Sequence, residues 1–427
     1  MKKRVHSPIF WTVLGMVFGI ALVAMSLIRG GGILPAHMGT GQAVAADAAI
    51  RTSAGRPSHP ALDYAAMDAR LRRLAADPDM AGMAVAIVDD GRIAFAKGYG
   101  VANRETGEPV TPDTVFRWAS LSKGAASALA YRLAEKGELS LARPLSDFRT
   151  SLRLPDGAER RLNLTDLLAH RVGITHNAYD EKLERGMDPA MLRRTLAAVP
   201  LQCEPGQCYS YQNIAYDTLS EIVPDVTGRL LPDQVGEELF VPLGMASAGY
   251  GIGNLTRAES WARPYRRDRL YELSPSYFKV PAAAGVSSNI VDLARWMQAQ
   301  MGEQPKILSE AVLYELHRPR VATDRRGRGA LAQLVAMPSY GQGWRSMLYD
   351  GHGIVHHQGA VNGYRAAILF DPVLRSGIVM MWNSSTTRPF KLQYEFLDQL
   401  YGRPHTDWLE LDDLPENAVL AGSTAAD

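Results

Sequence analysis

Ser120 and Lys123 stand three residues apart at the start of a run that is rich in helix-forming residues. On a helix, positions three apart face the same way, so the hydroxyl and the amine can touch. A serine hydroxyl is a poor nucleophile at neutral pH and needs a neighbouring base. A lysine amine can act as that base when burial lowers its pKa enough to leave it neutral. The spacing therefore predicts a serine nucleophile with a lysine beside it.

The same S-x-x-K pattern occurs a second time, at Ser276 and Lys279. Prolines flank this copy in SPSYFKVP and no helix start accompanies it, so we interpret it as a coincidence. Taken alone, the first copy also has an ordinary interpretation, in which Ser120 caps a helix and Lys123 is a solvated charge. Choosing between these two interpretations requires further residues of matching chemistry.

The hydrophobic pattern predicts the elements that would position Ser120. Residues 120–136 favour a helix that ends at Gly137, and two β-like runs around the turn at 89–91 predict a hairpin. The simplest assembly is an α+β fold, in which the early hairpin joins late strands in one antiparallel sheet with an all-helical insertion between them. The strand-like runs are 83–88, 92–97, 114–118, 341–347, 354–358, 364–370 and 376–382, and the other helix-like runs are 164–171, 213–226, 289–301 and 390–400.

Two more motifs follow Ser120 along the chain. YQN begins at Tyr211 after a Pro-Gly turn, and HQG begins at His357 within a strand-like run. With S-x-x-K, Y-x-N and H-x-G in this order, and stretches such as GEPVTPDTVFRWASLSK and YGQGWR, the sequence resembles the serine β-lactamase and penicillin-recognising superfamily. The resemblance is to its class C-like branch of serine hydrolases and esterases, and it covers nearly all of residues 80–400.

This resemblance implies a β-lactamase/transpeptidase-like fold, an antiparallel sheet flanked by helices beside an all-helical subdomain. It also implies that Ser120 is acylated and that Lys123 is its neighbouring base. Tyr211 would relay protons between the serine and the leaving group, and His357 would help hold Tyr211 in its reactive state. Whether Lys123 or Tyr211 takes the first proton stays open at this point.

The resemblance also implies how a substrate would be held. The side chain of Asn213 would hydrogen-bond the substrate, and the backbone N–H groups of Ser120 and Ala360 would stabilise the negative charge that develops on the attacked carbonyl. Gly359 lies between His357 and Ala360 in the third motif. The positions assigned to substrate binding are Asn213, Gly359, Ala360 and Arg365.

The third motif departs from the β-lactamase pattern, because His357 stands where K-T-G has a lysine. Imidazole is mostly neutral at pH 7 and supplies no permanent charge for a substrate carboxylate. Arg365 could supply that contact, or it is a surface arginine. The H-x-G form is similar to that of family esterases and D-amino-acid peptidases, so we favour small esters, amides or D-amino-acid peptides over β-lactams. The alternative function is a catalytically weak protein that recognises penicillins or wall peptides in the same cleft.

Composition and the remaining histidines exclude other kinds of function. The chain has 46 Lys+Arg and 45 Asp+Glu, a net charge of +1, without the basic footprint of a nucleic-acid-binding protein. His352, His356 and His357 lack a second group of ligands at metal-like spacing, so we predict no metal and no organic cofactor. His170 is interpreted as structural. A Ser-His-Asp hydrolase would need a G-x-S-x-G elbow after a strand, which is absent.

The N-terminus and the cysteines predict the compartment. Three cations at 2–4 precede an uncharged, mostly apolar stretch at 7–28, long enough to cross a hydrocarbon core of about 30 Å. It is either a cleaved signal peptide or an uncleaved inner-membrane anchor, and both place the rest in the periplasm or beyond. The predicted parts are this segment (1–29), a flexible linker (30–60), the hydrolase domain (61–403) and a polar tail (404–427).

Cys203 and Cys208 are the only cysteines, and they flank the turn-forming sequence EPGQ. In an oxidising compartment this arrangement favours a disulfide, with a pair of reduced thiols as the alternative.

Overall fold

Strands from both ends of the chain flank a mostly helical middle in the residues that the computed structural model describes, 62–324 and 329–413. The strands are β1 (Gly82–Asp89), β2 (Arg92–Asn103), β3 (Glu108–Pro109), β4 (Phe116–Arg117), β5 (Gly249–Tyr250), β6 (Tyr265–Arg266), β7 (Arg269–Leu270), β8 (Val286–Ser288), β9 (Val321–Ala322), β10 (Val335–Tyr340), β11 (Arg345–Tyr349), β12 (His352–Val361), β13 (Tyr364–Asp371) and β14 (Ser376–Trp382). The helices are α1 (Tyr64–Ala75), α2 (Ser122–Glu135), α3 (Leu164–Leu168), α4 (Asp180–Glu184), α5 (Pro189–Thr195), α6 (Asn213–Tyr216), α7 (Leu219–Thr227), α8 (Leu231–Val235), α9 (Gly251–Thr256), α10 (Pro281–Ala284), α11 (Ile290–Gln300), α12 (Glu310–His317), α13 (Ala330–Leu334) and α14 (Leu392–Leu400).

A nine-stranded antiparallel sheet organises these elements. Its strand order is β3-β2-β1-β14-β13-β12-β11-β10-β9, so the early hairpin β1-β2 lies directly beside β14, the last strand in sequence. Met83 pairs with Trp382 and Val88 pairs with Gly377 across that junction. This confirms the predicted α+β fold, in which the two ends of the chain share one sheet.

The centre of the sheet is buried on both faces. Every residue of β14 and all but the last of β1 is buried, which is why these strands read as continuous apolar runs. Side chains alternate between the faces, so Ala84 and Ala86 pack with the helices around α2, while Val85 and Ile87 pack with α1 and α14. The sheet therefore separates two hydrophobic cores.

Helix α2 lies in the larger of these cores and is buried on nearly every side. Its many alanines keep it narrow enough to sit between the sheet and the neighbouring helices. It follows a 3₁₀ turn, Ala119–Leu121, and the chain leaves it at Gly137 with a φ of 77°, a left-handed conformation that glycine adopts without strain. The predicted helix and its glycine stop are both present.

The middle of the chain differs from the predicted all-helical insertion. It contains a three-stranded sheet, β4-β8-β5, and the hairpin β6-β7 as well as helices. The predicted helix 164–171 stops at Leu168, because His170 adopts a left-handed φ of 56°. The predicted helix 213–226 is split at Asp217, whose carboxylate accepts hydrogen bonds from the Ala282 N–H and from Arg193.

Strand β10 was not predicted, because Pro338 lies within it and proline cannot donate to a ladder. The structure accommodates Pro338 at an irregularity in the pairing with β11 between Ala336 and Ser339, where Met337 has a φ of 52°. The predicted strand 341–347 begins only at Arg345.

The C-terminal boundary also differs from the prediction. Residues 404–413 were assigned to a polar tail, yet Leu409 and Leu411 are buried in the core under α1 and α14. Trp408 Nε1 donates to Asp398 Oδ2 at 2.7 Å, and Asp407 accepts from Arg70 at 2.6 Å. The folded domain therefore extends past 403.

The predicted signal or anchor at 7–28 and the linker at 30–60 lie outside the described residues. Across 62–324 and 329–413, no helix is both long enough and apolar enough to cross a membrane.

Candidate active site

Ser120 lies in the 3₁₀ turn that leads into α2. Ala119 before it has a φ of 49°, a conformation that costs an alanine about 1–2 kcal/mol relative to the right-handed region. Ser120 is partly exposed, whereas Leu121 and the first residues of α2 are buried. The turn therefore presents the serine hydroxyl at the edge of the core.

The amine of Lys123 is buried and has three hydrogen-bond partners. Nζ lies 3.3 Å from Ser120 Oγ, 2.7 Å from Asn213 Oδ1 and 3.0 Å from the main-chain oxygen of Ala283. The structure thus brings together three of the predicted site residues, and it adds Ala283.

Burial lowers the pKa of Lys123 from 10.5 to about 7. The negative charges of Asp180 and Asp217 raise it in opposition, and the positive charge of Arg345 lowers it further. A pKa near 7 leaves roughly half of the amines neutral at neutral pH. The group beside Ser120 is therefore able to accept a proton under those conditions.

Asn213 connects Lys123 to a carboxyl group that was not predicted. Its Oδ1 accepts from Lys123, and its Nδ2 donates to Asp180 Oδ2 at 2.7 Å. Burial raises the pKa of Asp180 to about 6, against the hydrogen bond from Asn213 and the charge of Lys123. The second oxygen, Oδ1, is buried and has no hydrogen-bond partner among the described residues. Nothing in the surrounding sequence AYDEK distinguishes Asp180 from a surface aspartate.

The ring of Tyr211 lies beside the same amine, with Lys123 Nζ 4.7 Å from the ring centroid. The Tyr211 N–H donates to His176 Nδ1 at 3.0 Å, and its carbonyl accepts from the Asn177 N–H at 2.8 Å. Burial raises the pKa of Tyr211, although a hydrogen bond with Ser120 and the charge of Arg345 lower it. Tyr211 is therefore a protonated phenol at neutral pH, in contact with the Ser120 hydroxyl.

His357 contacts Tyr340, a residue outside the predicted motifs. Its Nδ1 lies 2.8 Å from the carbonyl oxygen of Gln358 and must carry a proton, so Nε2 accepts from the Tyr340 hydroxyl at 3.1 Å. Burial lowers the pKa of His357 well below its usual range, so the ring is neutral at pH 7. His357 is predicted to help hold Tyr211 in its reactive state, and in the structure the link between them runs through Tyr340, whose ring centroid lies 6.4 Å from that of Tyr211.

His170 is a packing residue at the back of this cluster. Its ring centroid lies 4.2 Å from that of Tyr211 and 4.8 Å from that of Tyr340, and its Nδ1 accepts from the Gln212 N–H at 3.2 Å. Burial lowers its pKa well below the usual range, which keeps it neutral. These contacts agree with a structural interpretation of His170.

The end of β12 runs along the turn that carries Ser120. The pairing of β12 with β11 stops at His356, and beyond it the strand lies against the 3₁₀ turn. A Cβ at Gly359 would overlap the carbonyl oxygen of Trp118 and lie 3.1 Å from the Cβ of Ala119. Only a glycine allows this approach, which places the main chain of Ala360 near the serine.

Arg365 does not lie in this site. It pairs with Ala360 in the β12-β13 ladder, so its side chain shares the face of the sheet opposite to that of His357 and Gly359. Its guanidinium donates to the carbonyl oxygens of Val361, Tyr364 and Ser385. The alternation of side chains along β13 thus removes it from the predicted contact with a substrate carboxylate.

Arg345 is the guanidinium beside the site. Its Cζ lies 5.3 Å from the ring centroid of Tyr340, 5.6 Å from that of Tyr209 and 6.0 Å from that of Tyr211. Nη2 donates to the Tyr209 hydroxyl at 2.8 Å, and no carboxylate of the described residues forms an ion pair with it. Arg345 follows the YGQGW stretch, whose resemblance to the family was the one available signal for it.

The remaining predicted side chains lie outside this cluster. Cys203 and Cys208 form a disulfide in the loop that precedes Tyr209 and Tyr211. The ring of His352 stacks on Tyr401, 3.8 Å between centroids. Within the part of the chain that the structure describes, no group of three or more His, Cys, Asp or Glu side chains is arranged to hold a metal ion.

Comparison with known proteins identifies the family. A family model described as Beta-lactamase matches residues 67–401. The chain belongs to the beta-lactamase family. Its fold is similar to that of the octameric penicillin-binding protein homologue from Pyrococcus abyssi, with a TM-score of 0.72. The two are 24% identical in sequence, and the match covers 80% of this chain and 78% of that one.

The names of relatives of this chain refer to several activities. The chain is 29% identical to penicillin-binding protein 4 of Amycolatopsis lactamdurans, over 80% of this chain and 91% of that protein. It is 27% identical to esterase EstB of Burkholderia gladioli, over 77% and 93%. It is 26% identical to the unguisins hydrolase ungD' of Aspergillus campestris over 74% of this chain, and it spans only 62% of that hydrolase's length. The hydrolases among these relatives support a serine hydrolase in general.

Proposed function

We propose that this member of the beta-lactamase family is a serine hydrolase that works through an acyl-enzyme on small esters, amides or D-amino-acid peptides. The observation that carries the proposal is the 3.3 Å contact between Ser120 Oγ and the buried amine of Lys123. Burial lowers the pKa of this amine to about 7. A hydroxyl next to a neutral, desolvated amine is an activated nucleophile.

The hydrogen bonds of Lys123 favour it over Tyr211 as the base. Asn213 Oδ1 and the Ala283 carbonyl oxygen only accept hydrogen bonds from the amine, so a neutral amine gives its two N–H bonds to them. Its lone pair is then left for the Ser120 hydroxyl, which donates to it. When Ser120 attacks a substrate carbonyl, the serine proton moves to Lys123.

Tyr211 is suited to the opposite step. Because its pKa is raised, the phenol keeps its proton at neutral pH and is able to give it to a leaving group. We assign the N–H groups of Ser120 and Ala360 to the carbonyl oxygen that becomes negative during attack. One such fixed donor lowers the activation free energy by about 3 kcal/mol. A water molecule then releases the acyl group by the reverse route.

The charges around the cleft bear on the substrate. His357 is neutral, so the third motif supplies no cation for a β-lactam carboxylate, and this supports esters and peptides over β-lactams. Arg345 is a cation next to Tyr211, and among the residues that the structure describes its guanidinium donates to the Tyr209 hydroxyl and to no carboxylate. We assign it to a carboxylate on the leaving-group side of the substrate. From the sequence, Arg365 was the residue considered for contact with a substrate carboxylate.

We further propose that the enzyme works outside the cytoplasm, where wall peptides are available, and that it is attached to the inner membrane if the segment at 7–28 is retained. The Cys203–Cys208 disulfide supports this location, since disulfides are rare in reducing compartments.

Labelling with a fluorophosphonate probe tests the nucleophile. We expect the wild type to be labelled, Ser120→Ala to be unlabelled, and Ser276→Ala, the serine of the second S-x-x-K pattern, to be labelled like the wild type. A folded wild type that takes no label would contradict the proposed hydrolase activity. It would favour the alternative, a protein that recognises penicillins or wall peptides in the same cleft.

Turnover of two chromogenic substrates then ranks the substrate classes. We expect p-nitrophenyl butyrate to be hydrolysed with a higher kcat/KM than nitrocefin. Faster cleavage of nitrocefin would overturn the preference for esters while leaving the serine mechanism in place.

A further inference from the structure

The amide of Asn213 has a donor end and an acceptor end, and its neighbours decide which end faces Lys123. An ionised carboxylate can only accept hydrogen bonds, so Asp180 Oδ2, 2.7 Å from Asn213, must face the NH₂ group. The amide oxygen is then turned toward Lys123 Nζ, also at 2.7 Å. Asp180 thus fixes the orientation of a side chain that touches the proposed base.

The opposite orientation would harm the base. With the amide turned over, the NH₂ group of Asn213 would donate to the lone pair of a neutral Lys123. That lone pair is what the Ser120 hydroxyl, 3.3 Å away, needs as its acceptor. Ala283 offers no alternative, because its carbonyl oxygen takes an N–H of the amine in either case.

We propose that Asp180 is a positioning residue of the reaction, which holds Asn213 so that the lone pair of Lys123 points at Ser120. The inference rests on the proposed serine mechanism. Asp180 does not touch the reacting atoms; it acts through Asn213. Its Oδ1 is buried and has no hydrogen-bond partner among the described residues. The carboxylate of Asp180 therefore makes one hydrogen bond there, through Oδ2 to Asn213.

Asp180 also acts through its charge. The groups that interact with it electrostatically are Lys123 on α2, Glu184 on α4, and the phenols of Tyr211 and Tyr277. Its negative charge raises the pKa of Lys123. Removing that charge must lower the pKa of Lys123, so the neutral amine would persist to lower pH. The positional effect and the charge effect can therefore be separated by two substitutions.

Asp180→Ala removes both the acceptor and the charge, whereas Asp180→Asn keeps an oxygen that can accept from Asn213. For hydrolysis of p-nitrophenyl butyrate, we expect kcat to fall about ten-fold or more in Asp180→Ala, since general base catalysis is worth at least that factor. Asp180→Asn should restore most of this loss. Its acidic limb in the pH profile of kcat/KM should lie at lower pH than that of the wild type.

Glu184→Gln is the matched control, because Glu184 is an exposed carboxylate on the same helix that contacts Tyr277 and not Asn213. We expect its plateau rate to equal that of the wild type. Equal losses in Asp180→Ala and Asp180→Asn, no loss in either, or an acidic limb of Asp180→Asn that stays or moves to higher pH would each overturn the inference. Failure of the proposed function is distinct, since an unlabelled and inactive wild type would show it.

Discussion

The side chains around Ser120 balance opposite charges over short distances. Lys123 is buried, and its pKa is lowered by burial and by Arg345 but raised by Asp180 and Asp217. A base must be neutral part of the time to work at neutral pH, and a fully solvated lysine is not. The site therefore depends on burial to prepare the amine and on Asp180 and Asp217 to keep its pKa from falling further.

At this scale Arg345 should select substrates with a carboxylate in the leaving group. The two substrates are 3-carboxyphenyl butyrate and the same compound with its carboxylate converted to a methyl ester. We expect Arg345→Gln to lower the ratio of their kcat/KM values, charged over uncharged, by about ten-fold or more. The reason is that a charge-assisted hydrogen bond contributes about 1.5–3 kcal/mol. The ratio of the two rates is the measurement, since it does not depend on the active fraction.

Arg365→Gln is the control for this experiment, because Arg365 lies on β13, two strands from Arg345 on β11, and its guanidinium donates to main-chain carbonyl oxygens outside the site. Its ratio should equal that of the wild type. If Arg365→Gln lowers the ratio and Arg345→Gln does not, the assignment made from the structure is wrong and the one made from the sequence is right.

Residues at short spacing could be predicted from the sequence, and their distant partners could not. Ser120 and Lys123 are three apart, so helix geometry alone predicts their contact. Asn213 and Ala283 reach Lys123 from 90 and 160 positions away. Motif order supplied Asn213, but nothing in the sequence pointed to Ala283 or Asp180, because their roles exist only once the chain is folded.

Among the elements, the contact between β12 and the Ser120 turn is the one on which the site depends. Gly359 faces the carbonyl oxygen of Trp118, and the strand can approach only because position 359 has no Cβ. The strand brings Ala360 and His357 to the cluster from the sheet, while the turn brings Ser120 from α2. If β12 moved away from this turn, Ser120 would be separated from the Ala360 N–H group that we assign to the oxyanion.

Gly359→Ala should therefore reduce both activity and stability. We expect the free energy of unfolding to fall by about 1–3 kcal/mol from overpacking, with a marked loss of kcat on p-nitrophenyl butyrate. Denaturant unfolding and steady-state kinetics measure the two effects.

Gly236→Ala provides the comparison, since a Cβ there meets open space in a helical backbone. It should keep wild-type activity. A Gly359→Ala variant with wild-type kinetics would show that the close approach of β12 is not needed.

Regular elements with continuous apolar patterns were predicted well, and elements set by tertiary contacts were not. The predicted strand 376–382 and β14 have the same bounds, because β14 is buried along its whole length. The break between α6 and α7 depends on Asp217, whose partners come from Arg193 and Ala282. Strand β10 could not be predicted because it contains Pro338. A proline fits in this strand only because the pairing with β11 is irregular there, and no local sequence pattern indicates that irregularity.

On the scale of the whole molecule, the segment after residue 403 closes the core on the face of the sheet away from the site. Leu409 and Leu411 are buried there, and Asp407 and Glu395 both accept hydrogen bonds from Arg70 of α1. The charged residues of this segment made it resemble a polar tail. Its two leucines stand two positions apart among polar residues, a pattern too short to indicate a helix or a strand.

Shortening the chain tests this part of the account. A chain that ends at Arg403 should unfold at a lower temperature than one that ends at Asp413, because it loses two buried leucines worth about 1.5–3 kcal/mol each. The comparison between the two truncated chains by thermal unfolding is the measurement. Equal melting temperatures would mean that residues 404–413 add nothing to stability.

The central claim is that Ser120 carries the acyl group during turnover, and the intact mass of the protein tests it most directly. Rapid acid quenching during hydrolysis of p-nitrophenyl butyrate should reveal a species heavier by one butyryl group, and peptide mapping should place that group on Ser120. The Lys123→Met variant should accumulate far less of it. A butyryl group on another residue, or turnover without any acylated species, would contradict the account.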